Sequence, residues 1–126
     1  MDIERLDRWL KLLDDAPVEC DGMARIASCV LSREGIEHTI EVGGLVVEGE
    51  GTIPLHYWIK LPDGVICDLR ARMWLGEGEE VPHGAFIPKS TQKYLPKGTL
   101  DGATSPTVFL ILAGKDMNDH PRLSDA

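Results

Sequence analysis

The hydrophobic period of this chain changes once, at Gly35. Before Gly35, apolar residues recur at helical spacing over residues 2–14 and again from about Glu19 to Arg33. After it, three segments rich in β-branched residues have strand-like patterns: Ile36–Val47, Ile53–Leu61 and Val65–Leu69. Helices followed by consecutive strands are typical of an α+β domain. We therefore predict N-terminal helices packed on an antiparallel sheet.

The rest of the chain gives weaker signals. From Arg70 to about Thr104 it is rich in Gly, Pro and charge, which predicts mostly loop with short elements. Thr107–Ala113 is uniformly apolar and is predicted to be a buried strand. With 126 residues the chain has the size of one domain, expected over residues 1–114. Residues 115–126 are expected to form a frayed polar tail.

Charge and cysteine content narrow the classes of function. The formal net charge is -8 and the pI is about 4.9, so the chain would repel nucleic acid and anionic membranes. We expect no membrane segment and a cytoplasmic location, because the N-terminus lacks a signal-peptide pattern and no apolar run could span a bilayer. Three irregularly spaced cysteines do not make a disulfide framework. Each is expected to be a free thiol that either fills the core or acts as a nucleophile.

Cys20 falls in the first turn of the second predicted helix. A thiolate is the nucleophilic form of cysteine, and the unpaired N–H groups and dipole of a helix N-terminus favour it. The same N–H groups could stabilise an oxyanion. The alternative is that Cys20 is a small buried hydrophobe. Glu19, directly before it, would oppose a thiolate if its carboxylate pointed into the site.

His56 and Asp68 are predicted to meet across a β-hairpin. The turn Pro62-Asp63-Gly64 predicts a three-residue loop. In that register Trp58 faces Asp68 and His56 faces Arg70, so His56 and Asp68 are diagonal neighbours on one face of the sheet. A register slip of one residue would separate them. The alternative is an ordinary surface histidine beside an exposed aspartate.

Several residues around this hairpin are candidates for the substrate site. Trp58 shares the face of His56 and is expected to shield the His–Asp pair from water and line the site. The segment from Leu69 to Gly76 follows Asp68 directly, and it carries Arg70, Arg72 and Trp74. We expect it to form a wall of the cleft, where an arginine meets a carboxylate or phosphate. The alternative is a loop that packs Met73 and Trp74 on the core.

Other motifs are assigned simpler roles. Cys29 and Cys67 are expected to lie in the core. A zinc site built from His56, His83, Cys67 or His38 lacks the close spacing of structural zinc motifs, so no metal or other cofactor is expected. Gly43-Gly44 and the Glu48–Gly51 segment are expected to be turns or a mobile flap. The segment 82–86 is a candidate lid, and the run 77–80 is expected to be solvated charge.

The order of these residues resembles that of transglutaminase-like and papain-like thiol enzymes. The resemblance covers residues 17–70 and has three parts: Cys20 opening a helix that exits at Gly35-Ile36, the His56-Tyr57-Trp58 motif on a strand, and Asp68 on the next strand. It implies a papain-like or transglutaminase-like core, with residues 1–114 as a single transglutaminase-like domain. It also implies a Cys20–His56–Asp68 triad that forms an acyl-enzyme. The resemblance assigns no residue of this chain as the side-chain oxyanion donor of those enzymes.

The expected function is therefore a cysteine hydrolase or acyl transferase that acts on an amide or ester in a peptide, protein or small acyl substrate. Cys20 would attack the carbonyl, His56 would move the proton and Asp68 would orient His56. The alternative is a catalytically inactive module of the same fold that holds a protein partner. The sequence leaves the substrate and the oligomeric state open.

Overall fold

A five-stranded antiparallel sheet, with the longer helices packed on one face, forms the body of the protein. The computed structural model describes residues 2–101 and 105–126; the last residues of the expected 70–104 loop lie outside them. The elements are α1 Ile3–Lys11, α2 Cys20–Arg33, β1 Thr39–Val47, β2 Gly51–Lys60, β3 Ile66–Asp68, α3 Ala71–Leu75, β4 Gly84–Phe86, β5 Gln92–Leu100 and α4 Pro106–Ala113. The strand order is β4-β3-β2-β1-β5. The predicted α+β class is confirmed.

The two N-terminal helices begin and end where local chemistry favours it. Asp2 caps α1 by accepting a hydrogen bond from the Arg5 N–H. Helix α2 begins at Cys20, within one residue of the predicted start, and is buried around most of its circumference. Gly35 follows α2 with a φ of 71°, the left-handed conformation that ends many helices. The second helix is therefore confirmed at both ends.

The hairpin between β2 and β3 has the predicted register. Ile59 pairs with Cys67, and the Leu61 N–H bonds to the Val65 carbonyl across the loop. Gly64 takes the left-handed position with a φ of 86°. Strand alternation then places His56 and Trp58 on one face and Tyr57, Ile59 and Leu61 on the other, against the helices.

The sheet is strongly curled, and this curl positions the site. In a flat sheet the edge strands β4 and β5 would lie four strand spacings apart, about 19 Å. Instead, the ring centroid of Tyr94 on β5 lies 6.2 Å from that of Phe86 on β4. A second apolar cluster fills the concave side and includes Leu45, Ile53 and Val81. Side chains from distant strands therefore meet inside the curl.

Two predictions for the C-terminal half are wrong. The segment expected to be mostly loop contains a nine-residue strand, β5. The apolar segment expected to be a buried strand is the helix α4, which Ser105 caps and Pro106 opens. Only Phe109 and Ala113 of α4 are buried. Because the segment is uniformly apolar, its hydrophobic pattern has no helical period that could predict the helix.

The C-terminal residues are docked and not frayed. Arg33 donates hydrogen bonds to the carbonyls of Met117, His120 and Pro121. The Trp9 indole N–H also donates to the Pro121 carbonyl, at 2.7 Å. These backbone acceptors give no signal in the sequence, because every residue type carries a carbonyl.

None of the helices in the described ranges is long and apolar enough to span a membrane.

Gly43 and Gly44 lie inside β1 and are neither a turn nor a flap. A Cβ on Gly43 would collide with the Leu95 carbonyl oxygen, whereas a Cβ on Gly44 would meet nothing closer than 3.6 Å. We expect Gly43→Ala to lower the free energy of unfolding by roughly 1–3 kcal/mol, because β5 must move away. Urea denaturation measures this, with Gly44→Ala as the matched control. Equal effects of the two substitutions would contradict the close approach of β5.

Candidate functional site

Asp68, at the end of β3, is held by four hydrogen-bond donors. Its Oδ2 accepts from His56 Nε2 at 2.7 Å and from the Tyr94 hydroxyl at 2.7 Å. Its Oδ1 accepts from the backbone N–H groups of Arg70 at 3.0 Å and Ala71 at 3.2 Å, where α3 begins. The side chain is almost fully buried. A buried carboxylate with this many donors is fixed in position.

His56 is fully buried on β2 and uses Nε2 to contact Asp68. Its Nδ1 has no hydrogen-bond partner among the described atoms. Burial opposes the charged imidazolium, but the hydrogen bond with Asp68 and the proximity of the Cys20 thiol raise the pKa of His56 to about 9. The Cys20 thiol is therefore close enough to the imidazole to affect its charge. The imidazole is charged near neutral pH.

Two aromatic rings shield the His–Asp pair. Trp58 is 2% exposed, and its ring lies nearly parallel to that of His56 with centroids 6.1 Å apart. Tyr94 meets Trp58 edge to face at 4.9 Å. Burial and the charge of Asp68 strongly raise the pKa of the Tyr94 phenol, so it stays protonated and acts as a donor. Trp58 lies where it was expected to shield the pair.

Cys20 is the first residue of α2, and its side chain is 9% exposed. It lines a small internal crevice between α2 and the sheet, together with Trp58, Asp68 and Leu69. Glu19 provides no side-chain cap for the helix. The Gly22 N–H donates to the Asp21 carboxylate, but no described hydrogen bond uses the N–H groups of Cys20 or Asp21. These two N–H groups are available as hydrogen-bond donors at the start of the helix.

An open groove of about 570 Å³ runs past the start of α2. Its walls come from the 14–19 segment, from Leu69 to Met73, and from two side chains further along, Glu77 and His83. Cys20 itself does not line the groove, but its neighbours Val18 and Glu19 do. The groove therefore lies beside the residues that lead into α2.

The predicted substrate residues have different environments. Arg72 and Met73 line the groove, and Arg72 Nε donates to the Val81 carbonyl at 3.2 Å. Trp74 is 58% exposed and does not line it. The expected alternative, with Met73 and Trp74 packed on the core, is wrong because both are exposed.

Arg70 is bound entirely within the protein. Its guanidinium donates five hydrogen bonds, to Asp14 Oδ1 and to the carbonyls of Asp14, Ala16, Val18 and Leu69. No donor is left for a substrate carboxylate or phosphate. The prediction that Arg70 binds substrate is replaced by a structural role in holding the segment before Cys20.

Of the other cysteines and histidines, Cys67 lines the crevice and His83 lines the groove, whereas Cys29 and His38 line neither. Burial raises the pKa of Cys67 to about 12 and also raises that of Cys29. His38 Nε2 lies 2.7 Å from the Ser28 hydroxyl, and His83 Nε2 lies 3.0 Å from Asp14. In residues 2–101 and 105–126 no three His, Cys, Asp or Glu side chains are grouped to hold a metal.

Tyr94 is the site residue that sequence reasoning missed. It lies on β5, in a segment predicted to be loop, 26 residues after Asp68. The curl of the sheet brings the two together, and no local pattern encodes that curl.

Comparison with protein-family models, with curated proteins and with solved structures found no match for the chain.

Proposed function

We propose that this protein is a thiol-dependent hydrolase or acyl transferase with a papain-like or transglutaminase-like core, in which Cys20, His56 and Asp68 form the catalytic triad. One observation carries the proposal. His56 bonds Asp68 through Nε2, and its unpartnered Nδ1 is the nitrogen left for Cys20 at the start of α2. A buried aspartate behind a histidine beside a helix-terminal cysteine is the arrangement that thiol acyl transfer needs.

The charge state of His56 sets the form of the mechanism. A pKa of about 9 makes the imidazole cationic near neutral pH, and an imidazolium is the counter-ion that a thiolate nucleophile uses. The Cys20 sulfur attacks the carbonyl carbon and forms a C–S bond, while the π electrons move to the oxygen. His56 Nδ1 then gives its proton to the leaving amine or alcohol as the old C–N or C–O bond breaks.

The second half of the reaction regenerates the enzyme. Water or an amine gives a proton to His56 Nδ1 and attacks the thioester carbonyl, and the Cys20 thiolate leaves. The N–H groups of Cys20 and Asp21 stabilise the oxyanion in both halves. Asp68 stays a carboxylate throughout and compensates the imidazolium charge. The groove beside Glu19 holds the peptide, protein or small acyl substrate, and Arg72 and Met73 line it.

Selective alkylation tests the nucleophile. At pH 7 we expect iodoacetamide to label Cys20 at least about tenfold faster than Cys29 or Cys67, whose thiols burial keeps protonated. Peptide mapping by mass spectrometry gives the rate at each cysteine. His56→Ala should remove the advantage of Cys20. Labelling of Cys20 no faster than that of the other two thiols would exclude the triad.

Acyl transfer needs its own measurement. Wild-type protein treated with 4-nitrophenyl acetate should release 4-nitrophenol in a burst and carry an acetyl group on Cys20. Cys20→Ser is the matched control and should show no burst. A reactive Cys20 that never becomes acylated would instead favour the alternative function, an inactive module that holds a protein partner.

A further inference from the structure

Tyr94 makes a contact that a three-residue triad does not require. Its hydroxyl donates to Asp68 Oδ2, the same oxygen that accepts from His56, and both distances are 2.7 Å. The hydroxyl has one proton to donate, and it uses that proton in the hydrogen bond to Asp68. The contact joins β5 to β3, two strands separated in the sheet by β1 and β2.

We infer that Tyr94 is a positioning residue of the site, which locks the Asp68 carboxylate against His56 and moderates the pull of that carboxylate on the imidazole proton. This inference rests on the proposed function for its catalytic meaning. An oxygen that accepts two hydrogen bonds shares its negative charge between two donors. The Tyr94 hydroxyl therefore weakens the attraction between Asp68 and the imidazolium.

Few other groups around Asp68 could weaken its attraction to the His56 imidazolium. Asp68 Oδ1 is occupied by two backbone N–H groups, so only Oδ2 interacts with side chains. The titratable groups near the pair are Cys20 from α2, Cys67 from β3 and Tyr94 from β5. Cys67 lies on the opposite face of its strand, with its partner Ile59 in the main core. Tyr94 is thus the one side chain besides His56 that bonds Asp68 among the described hydrogen bonds.

The Tyr94 hydroxyl has a larger effect on His56 than the Tyr94 ring. In Tyr94→Phe the ring still packs on Trp58, but Asp68 Oδ2 bonds His56 alone. We expect the pKa of His56 to rise by roughly half a unit or more, with the alkaline limb of Cys20 alkylation moving by the same amount. NMR titration of the imidazole measures the first and the pH dependence of labelling the second. Tyr57→Phe is the matched control, since Tyr57 packs against the main core on the opposite face.

A second variant tests the opposite direction. The chain has two tyrosines, so Tyr57→Phe protein made with 3-fluorotyrosine carries the label only at position 94. Fluorination makes the phenol a stronger donor, and the pKa of His56 should then fall. This arm also decides the matter if Tyr94→Phe does not fold, because it changes the side chain by one atom.

The outcomes separate this inference from the proposed function. Opposite shifts in the two variants support Tyr94 as a positioning residue, even in a protein that is never acylated. An unchanged pKa of His56 in the folded variants overturns the inference, even if Cys20 is fully active. A fall in thermal stability alone counts against it, because simple packing would produce the same fall.

Discussion

Asp68→Asn is expected to reduce the rate of Cys20 acylation by about 10³–10⁴-fold, which is the scale seen when the buried aspartate of a serine-protease triad becomes asparagine. The amide would present an N–H₂ group to His56 Nε2, which now bonds Oδ2 at 2.7 Å. The imidazole would then be a neutral ring with its proton on Nδ1, so it could neither pair with the Cys20 thiolate as a cation nor accept a proton at Nδ1 from water or an amine. Burst amplitude and rate with 4-nitrophenyl acetate measure the loss.

The same substitution should change how stability depends on pH. In the folded protein the pKa of His56 is raised from 6.5 to about 9, so the charged imidazole stabilises the fold. That stabilisation, about 3 kcal/mol, is fully present below pH 6.5 and is lost as the pH rises through about 9. Asp68→Asn lowers the pKa of His56, so the free energy of unfolding should become nearly flat across this window.

Asp63→Asn is the matched control for this experiment. Asp63 lies in the turn of the same hairpin, is exposed, and bonds only the Val65 N–H, at 3.5 Å. Asp63→Asn should leave the rate of Cys20 acylation and the pH dependence of the free energy of unfolding close to those of wild type. If Asp68→Asn kept the wild-type slope of stability between pH 6.5 and 9, the charge of His56 would not depend on Asp68.

The sequence was sufficient for the parts of this site that local rules control. A three-residue turn with Gly64 in the left-handed position determines the register of β2 and β3. That register brings His56 and Asp68 to one face. The start of α2 at Cys20 follows in the same way from helical spacing. Each of these depends on residues fewer than about 20 positions apart.

The missed features depend on contacts between distant segments. Tyr94 reaches Asp68 because the sheet curls, and the curl depends on the bulge near Gly43 and on packing inside the sheet. The sequence predicts a strand at α4 because the exposed residues of this helix are as apolar as its buried ones. It predicts a substrate contact for Arg70 because a sequence does not reveal which backbone carbonyls surround a guanidinium.

Arg70→Ala is expected to be the most destabilising single change outside the apolar core, with a loss of roughly 3–5 kcal/mol in the free energy of unfolding. Arg70 is 8% exposed, and three of its five acceptors are carbonyls of Asp14, Ala16 and Val18. Its ion pair with the partly exposed Asp14 carboxylate adds less, because solvent screens it. Guanidinium chloride denaturation measures the loss.

Arg70→Ala should also have a second effect, on Cys20, which can be measured separately from the loss of stability. The carbonyls that Arg70 holds belong to the segment that leads directly into α2, so its loss should let the first turn of α2 move. We expect the selective alkylation of Cys20 to fall under conditions where the variant is still folded. Arg72→Ala is the matched control, because Arg72 makes one described hydrogen bond, to Val81, and should lose about 1 kcal/mol or less. A stability for Arg70→Ala equal to that of Arg72→Ala would mean that the five hydrogen bonds do not hold the start of α2.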